Sequence, residues 1–541
     1  MKTARSTGRP GSRLVRYLAL MLVLALGLTA CSSDSDSEGA GGATDAASDS
    51  ETPADDDTDE PDAGTAEGGV LNIGVRDDIQ RWDSSRVQTV FFPFTRALYD
   101  SLVTYDENLS PVPALATAWE IADDSTSVTI TLRDDVVFHS GRAMTAADVA
   151  ANLEVFADSE LGNQLFGPMA VVDSWEATDE TTLVVTFTKP LAELQITDLM
   201  QSWAIGDPEA FDAYDQRGEG TGPFTFVEWV PGERIVLAAN ESYWGEGPHV
   251  DELNFRIFGD DDSMVSAFES GVVDVAWGIA PLDANRLGGE NSVVEGFPGA
   301  LIDGWRINPT VPPFDNENIR LAVNYATDRA AIMEALYFGF GTPQALPFSS
   351  ASPAFDEELN EALGFDVDEA RRLIEESGLS GDELTGTMLV NSPDGASQRA
   401  SQILQAQLAE LGLNLELELR DSAEYTEKLL AGDFGILYSA IGNAQKYPTR
   451  ITTNSIYRTA DNPVGALEVF PEYEPAVEAA ISAVTAEEQE AAFAELNRVL
   501  AESMWVVSVG TRPTLVLTSP AVTGVGRNVD NMTLWNEARI G

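Results

Sequence analysis

Few residues of this 541-residue chain have the type and spacing that catalysis or metal binding requires. Its two histidines, His139 and His249, lie far apart in the sequence, so they do not predict an acid–base pair or a metal site. The adjacent carboxylates Asp260, Asp261 and Asp262 lack the spaced ligands and the terminal glutamate of a calcium loop. The patterns G-x-S-x-G and H-E-x-x-H do not occur. The sequence therefore predicts neither an enzyme nor a bound metal or cofactor.

The overall composition narrows the class of protein. A formal net charge of −58 makes nucleic acid an unfavourable partner. The single cysteine excludes an internal disulfide and a cysteine-based metal site. Hydrophobic residues make up 44% of the chain, which is enough for globular packing. The length predicts about two to four domains.

Residues 1–30 have the pattern of an export signal. Basic residues come first, and residues 17–28 form an apolar run. As a helix this run is about 18 Å long, too short to span roughly 30 Å of hydrocarbon, so it predicts a signal peptide. It is followed by Thr29, Ala30 and Cys31 in an order similar to a bacterial lipobox. We expect cleavage before Cys31 and attachment of lipid there, the alternative being an ordinary signal that happens to adjoin a cysteine.

The stretch from Cys31 to residue 69 is expected to be a disordered tether. Residues 32–69 contain thirteen acidic residues and no basic one. Such a segment cannot bury enough apolar surface to order itself. It would therefore connect a lipid anchor to a body that begins at Val70.

The elements that organise this body are clearest in residues 115–154. Apolar and polar residues alternate through residues 127–132, as in a half-buried strand. Thr145 and Asp148 have the spacing of a helix capping box. Val149, Leu153 and Phe156 then share one helical face. We predict a strand, a tight turn and a capped helix here. Elsewhere the same kinds of pattern predict a helix over residues 93–102, a short helix capped by Ser263, a strand over residues 272–276 and a long helix opened by a capping box of Thr485 and Glu488.

This stretch resembles the signature of the family 5 extracellular solute-binding proteins. These are the oligopeptide-, dipeptide- and nickel-binding components of ABC importers. Further similarities extend over nearly all of the chain from Val70. The matching segments are Trp119-Glu120, residues 137–141, residues 145–149, Gly220-Thr221-Gly222-Pro223-Phe224, residues 240–244 and residues 324–329.

The resemblance implies an α/β fold of the type II periplasmic-binding-protein kind, in its large three-subdomain form. Two lobes would close by a hinge on a ligand in the cleft between them. The interleaving of predicted helices and strands independently favours an α/β class. The expected boundaries are 70–104 with 206–302 and 511–541 for lobe one, 105–205 for an inserted subdomain, and 303–510 for lobe two.

The resemblance also implies which residues face the ligand. They come from four segments, namely Gln88, Thr89 and Val90; Trp277 and Gly278; Trp305 and Arg306; and Lys446 and Tyr447. Each tryptophan has an alternative role in core or surface packing. We expect both in the cleft, since a flat ring buries much area there with little loss of entropy.

Lys446 departs from the family pattern. Peptide-binding relatives tend to carry an aspartate before this Tyr-Pro pair, where it receives the α-ammonium of a peptide. A lysine cannot accept a hydrogen bond from an ammonium, and Arg306 also replaces an acidic contact of some relatives. These changes favour an acidic, modified or non-peptide solute. The alternative is a shifted alignment that leaves Lys446 in solvent.

Taken together, the predicted protein is a lipid-anchored, monomeric receptor on the outer face of the cytoplasmic membrane. It would capture a peptide-like or related small solute and deliver it to ABC permease subunits. Two alternatives stay open: a surface interaction protein or extracytoplasmic chaperone with the same fold, and a secreted hydrolase. Fold alone does not decide among them.

Overall fold

Two large β-sheets and one smaller sheet organise the folded part of the chain. The computed structural model describes residues 68–79, 81–84, 92–106, 109–161, 165–442, 447–448 and 468–541. All of them belong to one compact unit, Ala63–Gly541. The signal sequence, Cys31, residues 32–67 of the tether, Gln88, Thr89, Val90 and Lys446 lie outside the described residues.

The first large sheet, here lobe one, has seven strands. Three of them run parallel at its centre, Val70–Val75 between Glu252–Ile257 and Val275–Trp277. Their inward side chains are fully buried, which explains their high content of leucine, isoleucine and phenylalanine. In spatial order the strands are Ser292–Glu295, Leu515–Thr518, Val275–Trp277, Val70–Val75, Glu252–Ile257, Arg234–Ala239 and Phe224–Val230.

The second large sheet, here lobe two, has five strands. Strand Leu301–Ile307 has a neighbour on each side, and all its residues but the first are buried. Parallel pairing joins Thr385–Asn391 to two other strands of the sheet. In spatial order the strands are Asn414–Arg420, Thr385–Asn391, Ile436–Gly442, Leu301–Ile307 and Val506–Thr511.

The small sheet contains the signature stretch. Its antiparallel strands, in spatial order, are Ala116–Ile121, Ser127–Leu132, Thr182–Phe187 and Val172–Ala177. The predicted capping box is present, because the Thr145 N–H donates to Asp148 Oδ2 at 2.8 Å and opens helix Ala146–Phe156. Val149, Leu153 and Phe156 of that helix are fully buried in the core of the small sheet.

The remaining elements are helices and short ribbons. The α-helices are Phe92–Leu98, Ala146–Phe156, Phe166–Met169, Glu193–Ser202, Asp261–Glu269, Pro281–Leu287, Glu317–Ala326, Arg329–Tyr337, Glu357–Ala362, Val367–Glu376, Gly395–Ala409, Ser422–Ala431, Tyr473–Ser482 and Ala486–Ser503. Short 3₁₀ turns cover Ser159–Leu161, Pro208–Ala213 and Gly381–Leu384. Two-stranded ribbons join Val103–Tyr105 to Pro111–Pro113, Val522–Thr523 to Arg539–Ile540, and Gly526–Arg527 to Thr533–Leu534. Within the described residues, no helix has the length and apolar character to cross a membrane.

Two crossovers connect the large sheets. Residues 296–300 run from the end of strand Ser292–Glu295 to the start of Leu301–Ile307, and residues 512–514 lead back. Leu301 pairs with Gly442, so strand Ile436–Gly442 ends beside the first crossover. The parallel strands of both lobes therefore direct their carboxyl ends towards the crossovers, which is where open α/β sheets bind ligands. The domain boundaries given above stay a prediction.

Three local expectations need correction. The cap of helix Asp261–Glu269 is Asp260, which accepts from the Ser263 N–H at 2.7 Å, and not Ser263. The strand expected over residues 272–276 is Val275–Trp277. The helix expected over residues 93–102 ends at Leu98, because Ser101 leaves the helical path to bridge to Ala204.

Candidate ligand-binding site

A cavity of about 380 Å³ lies at the crossovers, between the carboxyl ends of the two large sheets. Lobe one contributes residues 277–281, Leu515 and Arg527, and lobe two contributes Leu301, Tyr337 and Ala396. The return crossover adds residues 512–514. A cavity with walls from both lobes is the expected position for a captured solute.

Trp277 and Gly278 both line this cavity, where the resemblance predicted ligand contact. Trp277 ends its strand, and its indole N–H donates to Thr533 Oγ1 at 2.8 Å. Gly278 has φ +71°, a conformation that glycine adopts without strain, and its N–H donates to the Leu515 carbonyl at 2.9 Å. The turn thus sets the indole ring against one wall of the cavity.

An ion pair clips the return crossover to strand Leu301–Ile307 of lobe two. Arg512 donates through Nε and a terminal nitrogen to Asp303 Oδ1 at 2.9 and 2.6 Å. The Tyr337 hydroxyl donates to the other oxygen of the same carboxylate. Asp303 is fully buried, and its charge helps to raise the pKa of Arg512 although burial acts in the opposite direction. Sequence reasoning missed this clip, because its members are separated by more than thirty residues.

Trp305 and Arg306 do not reach the lining of this cavity. Both are essentially buried, at 0% and 1% exposure, on the strand with a neighbour on each side. The Trp305 ring packs edge-on against Tyr438 with centroids 5.1 Å apart, inside the core of lobe two. The placement of Trp305 matches the alternative role in core packing. A ligand role for either residue stays a prediction.

Tyr447 is 2% exposed and lies beside helix Glu193–Ser202 rather than in the crossover cavity. Its hydroxyl is 3.0 Å from the Ala480 carbonyl oxygen and 3.2 Å from that of Ala483. With Gln195 and Asp198 it lines a small cavity of about 110 Å³ between the inserted elements and lobe two. Its ligand role, like those of Gln88, Thr89, Val90 and Lys446, stays a prediction.

His139 holds two segments of backbone together. Its Nδ1 accepts from the Gly220 N–H at 3.2 Å, and its Nε2 lies 3.1 Å from the Gly222 carbonyl oxygen. Burial lowers the pKa of His139 to about 4. His249 is half-buried, and its Nε2 lies 2.6 Å from a terminal nitrogen of Arg539 and 3.5 Å from Glu537 Oε2. No group of acidic, histidine or cysteine residues in the described ranges could hold a metal ion.

The family is shown by a match over residues 110–462, which is more than half of the chain. The matching model describes the middle part of the bacterial extracellular solute-binding proteins of family 5. The chain belongs to this family. The expectation of a solute-binding protein rather than an enzyme is thereby confirmed.

Curated relatives and solved structures agree with this assignment. The glutathione-binding protein GsiB of Pectobacterium atrosepticum is 25% identical over 338 residues, which are 61% of this chain and 65% of the relative. The chain thus aligns to slightly less than two thirds of that relative's length. GsiB of Escherichia coli K12 is equally similar over 336 residues.

The fold is shared with solved structures of lower sequence identity. NikA of Brucella suis, solved in complex with Fe(III)-EDTA, has a TM-score of 0.78 at 19% identity. Its match covers 87% of this chain and all of NikA. The ABC transporter substrate-binding protein CtaP of Listeria monocytogenes also has a TM-score of 0.78, at 20% identity over 88% of this chain and 99% of that structure. These likenesses confirm the predicted two-lobed α/β class.

Proposed function

We propose that this family 5 protein is the substrate-binding component of an ABC importer. It captures a small solute outside the cytoplasmic membrane and delivers it to permease subunits. The observation that carries the proposal is the crossover cavity, whose walls come from both lobes. A solute that contacts both walls stabilises the closed arrangement of the lobes, and a permease can distinguish this arrangement from the empty one.

The solute class we propose is peptide-like or a related small acid. The relatives with 25% identity are named as glutathione-binding proteins, and glutathione is a modified acidic tripeptide. The cavity of about 380 Å³ is lined by Trp277 together with Ile279, Pro281 and Leu515. An apolar wall with a few polar groups is the usual composition of a site for a small organic molecule.

The anchor and the location are further parts of the proposal. Cys31 is the only cysteine of the chain and follows the apolar run directly, which supports lipidation and attachment to the outer face of the membrane. We propose a monomer that meets the permease while tethered. Intact-mass spectrometry of the protein from its native membrane tests the anchor. A lipidated N-terminal Cys31 is expected, and an unmodified chain beginning elsewhere would contradict it.

The binding function is tested by identifying what the protein carries. We would purify the full chain, denature it and analyse the released small molecules by mass spectrometry. Protein that has been unfolded, washed and refolded serves as the background control. One defined peptide-like or acidic compound, close to one per chain, is the expected result.

An empty protein that no peptide or small acid stabilises in a thermal-shift panel would contradict the proposal. That result would favour the surface interaction protein or the extracytoplasmic chaperone. Enzymatic turnover of any compound in the panel would instead support the secreted hydrolase.

A further inference from the structure

Arg527 is a cation that lines the cavity, and no carboxylate of the described residues forms an ion pair with it. It lies on the short strand Gly526–Arg527 and pairs in register with Thr533. Its guanidinium donates to Thr514 Oγ1 at 2.7 Å and to Thr533 Oγ1 at 3.4 Å. Its carbon Cζ lies 5.8 Å from the centre of the Trp277 ring. Among the described residues, two neutral hydroxyls and an aromatic face therefore surround its guanidinium.

Each of the other charged side chains at the cavity is neutralised by an ion pair with a residue of opposite charge. Asp261 is bound by Arg76, and Arg512 is bound by Asp303. Among the described residues, no carboxylate lies within 4.0 Å of the Arg527 guanidinium, the limit for an ion pair. The cavity thus carries one uncompensated positive charge, in a chain whose net charge is −58.

Arg329 provides a contrast. Arg329 is buried, and its three nitrogens contact five acceptors, namely the carbonyls of Gln344, Ser508, Asn324 and Thr327 and the side-chain oxygen of Asn324. A guanidinium has five N–H donors, and the half-buried Arg527 uses two of them on the described residues. Its Nε is buried and has no acceptor among the described residues.

The described neighbours of Arg527 do not supply the missing acceptors. Thr533 Oγ1 already accepts from the Trp277 indole N–H as well as from Arg527, which uses both lone pairs of the hydroxyl. Burial lowers the pKa of Arg527 to about 10, and no neighbouring charge opposes this shift. An anionic group that accepted from its unused N–H donors would offset the cost of this partial burial.

We infer that Arg527 receives the oxyanion, a carboxylate or a phosphate, of a small acidic solute in the crossover cavity. The planar fork of its free N–H donors fits two oxygens of such a group. Trp277 and the apolar residues Ile279 and Pro281 then contact the remainder of the solute. The inference rests on the proposed solute-binding function and specifies the chemistry that the site selects.

The test compares acids with esterified counterparts that carry no oxyanion, by calorimetry on the full chain in detergent. The probes are glutathione and phenyl phosphate, each paired with its dimethyl ester, and benzoylglycine, paired with its methyl ester. We expect wild-type protein to prefer at least one acid over its ester by about tenfold or more, as a charge-assisted pair would give. Arg527→Gln should lose this preference, and Arg527→Lys should retain part of it.

The matched control is Arg286→Gln, which removes an exposed arginine that pairs with Glu269 and Asp283. Its affinities should equal those of the wild type, and circular dichroism establishes that each variant is folded. Esters that bind as tightly as acids, or an Arg527→Gln variant with unchanged acid affinity, would overturn the inference while leaving solute binding intact. Failure of every acid to bind would overturn it too, and the extraction experiment decides the proposed function separately.

Discussion

At the scale of one residue, His139 is a titratable group with a structural role. Its two ring nitrogens contact the backbone at Gly220 and Gly222, and the neutral imidazole supplies one acceptor and one donor for them. Protonation would remove the acceptor and place a charge in a half-buried site. Burial therefore lowers the pKa of His139 to about 4.

This pKa predicts a specific loss of stability in acid. Unfolded His139 takes up a proton below about pH 6.5, whereas the folded protein takes it up only near pH 4, so the unfolded state gains stability in this window as the pH falls. His139→Gln retains an acceptor and a donor but does not titrate. Between pH 7 and pH 4, the wild type should lose about 2–3 kcal/mol more unfolding free energy than the variant, measured by urea denaturation.

The comparison with His139→Gln controls for the other titrating groups, because the many carboxylates of the chain contribute equally to the pH dependence of unfolding free energy in both proteins. If the unfolding free energies of wild type and His139→Gln change in parallel from pH 7 to pH 4, the structural account of this histidine is wrong.

At the residue scale, the ligand contact that the resemblance implied for Trp277 and Gly278 stays a prediction, and the sequence did not predict their polar partners. Thr533 and Arg527 lie about 250 residues further along the chain, so no local pattern connects them to Trp277. The clip of Asp303 and Arg512 was missed for the same reason. Trp305 and Trp277 looked equivalent in sequence, and only the pairing of strands on both sides of Trp305 separates them.

At the scale of elements, the segment Gly220-Thr221-Gly222 is shaped by close packing. A side chain on Gly220 would collide with the Leu98 carbonyl oxygen, and one on Gly222 would lie 2.6 Å from that of Ala97. The Gly222 N–H also donates to the Leu98 carbonyl at 3.0 Å. The glycines therefore allow the turn to approach the end of helix Phe92–Leu98.

Gly220→Ala should destabilise the protein by about 3 kcal/mol, because the backbone must shift to accept the methyl group. Gly259→Ala is the matched control, since no atom lies within 4 Å of the methyl group added there. Urea denaturation of both variants gives the comparison. Equal stability of the two would contradict the packing explanation.

Element boundaries were less predictable than the elements themselves. The capping box of Thr485 and Glu488 and the helix Ala486–Ser503 were expected from spacing alone and are present. The cap at Asp260 was missed, because Ser263 and three successive aspartates offer several equivalent caps in sequence. Helix Phe92–Leu98 ends early through the bridge of Ser101 to Ala204, a contact between distant segments.

At the scale of the whole folded unit, the fold class was predictable and the composition of the cavity was not. The signature stretch and the matching segments cover most of the chain, so the two-lobed class follows from many independent similarities. The lining depends on where two crossovers meet, and residues such as Leu301, Tyr337 and Ala396 reach it from separate elements. Nothing in the sequence around these residues indicates that they line a cavity.

The central claim is that one solute binds in the crossover cavity. Calorimetric titration of wild type and of a variant that lacks the cavity tryptophan, Trp277, tests this claim most directly. The compound released from the denatured protein is titrated into refolded full chain. We predict one compound per chain, with affinity reduced about tenfold or more in Trp277→Ala by loss of the aromatic wall. The control Trp119→Ala removes a half-buried ring of the small sheet and should bind as the wild type does. Unchanged affinity in Trp277→Ala would contradict binding in this cavity.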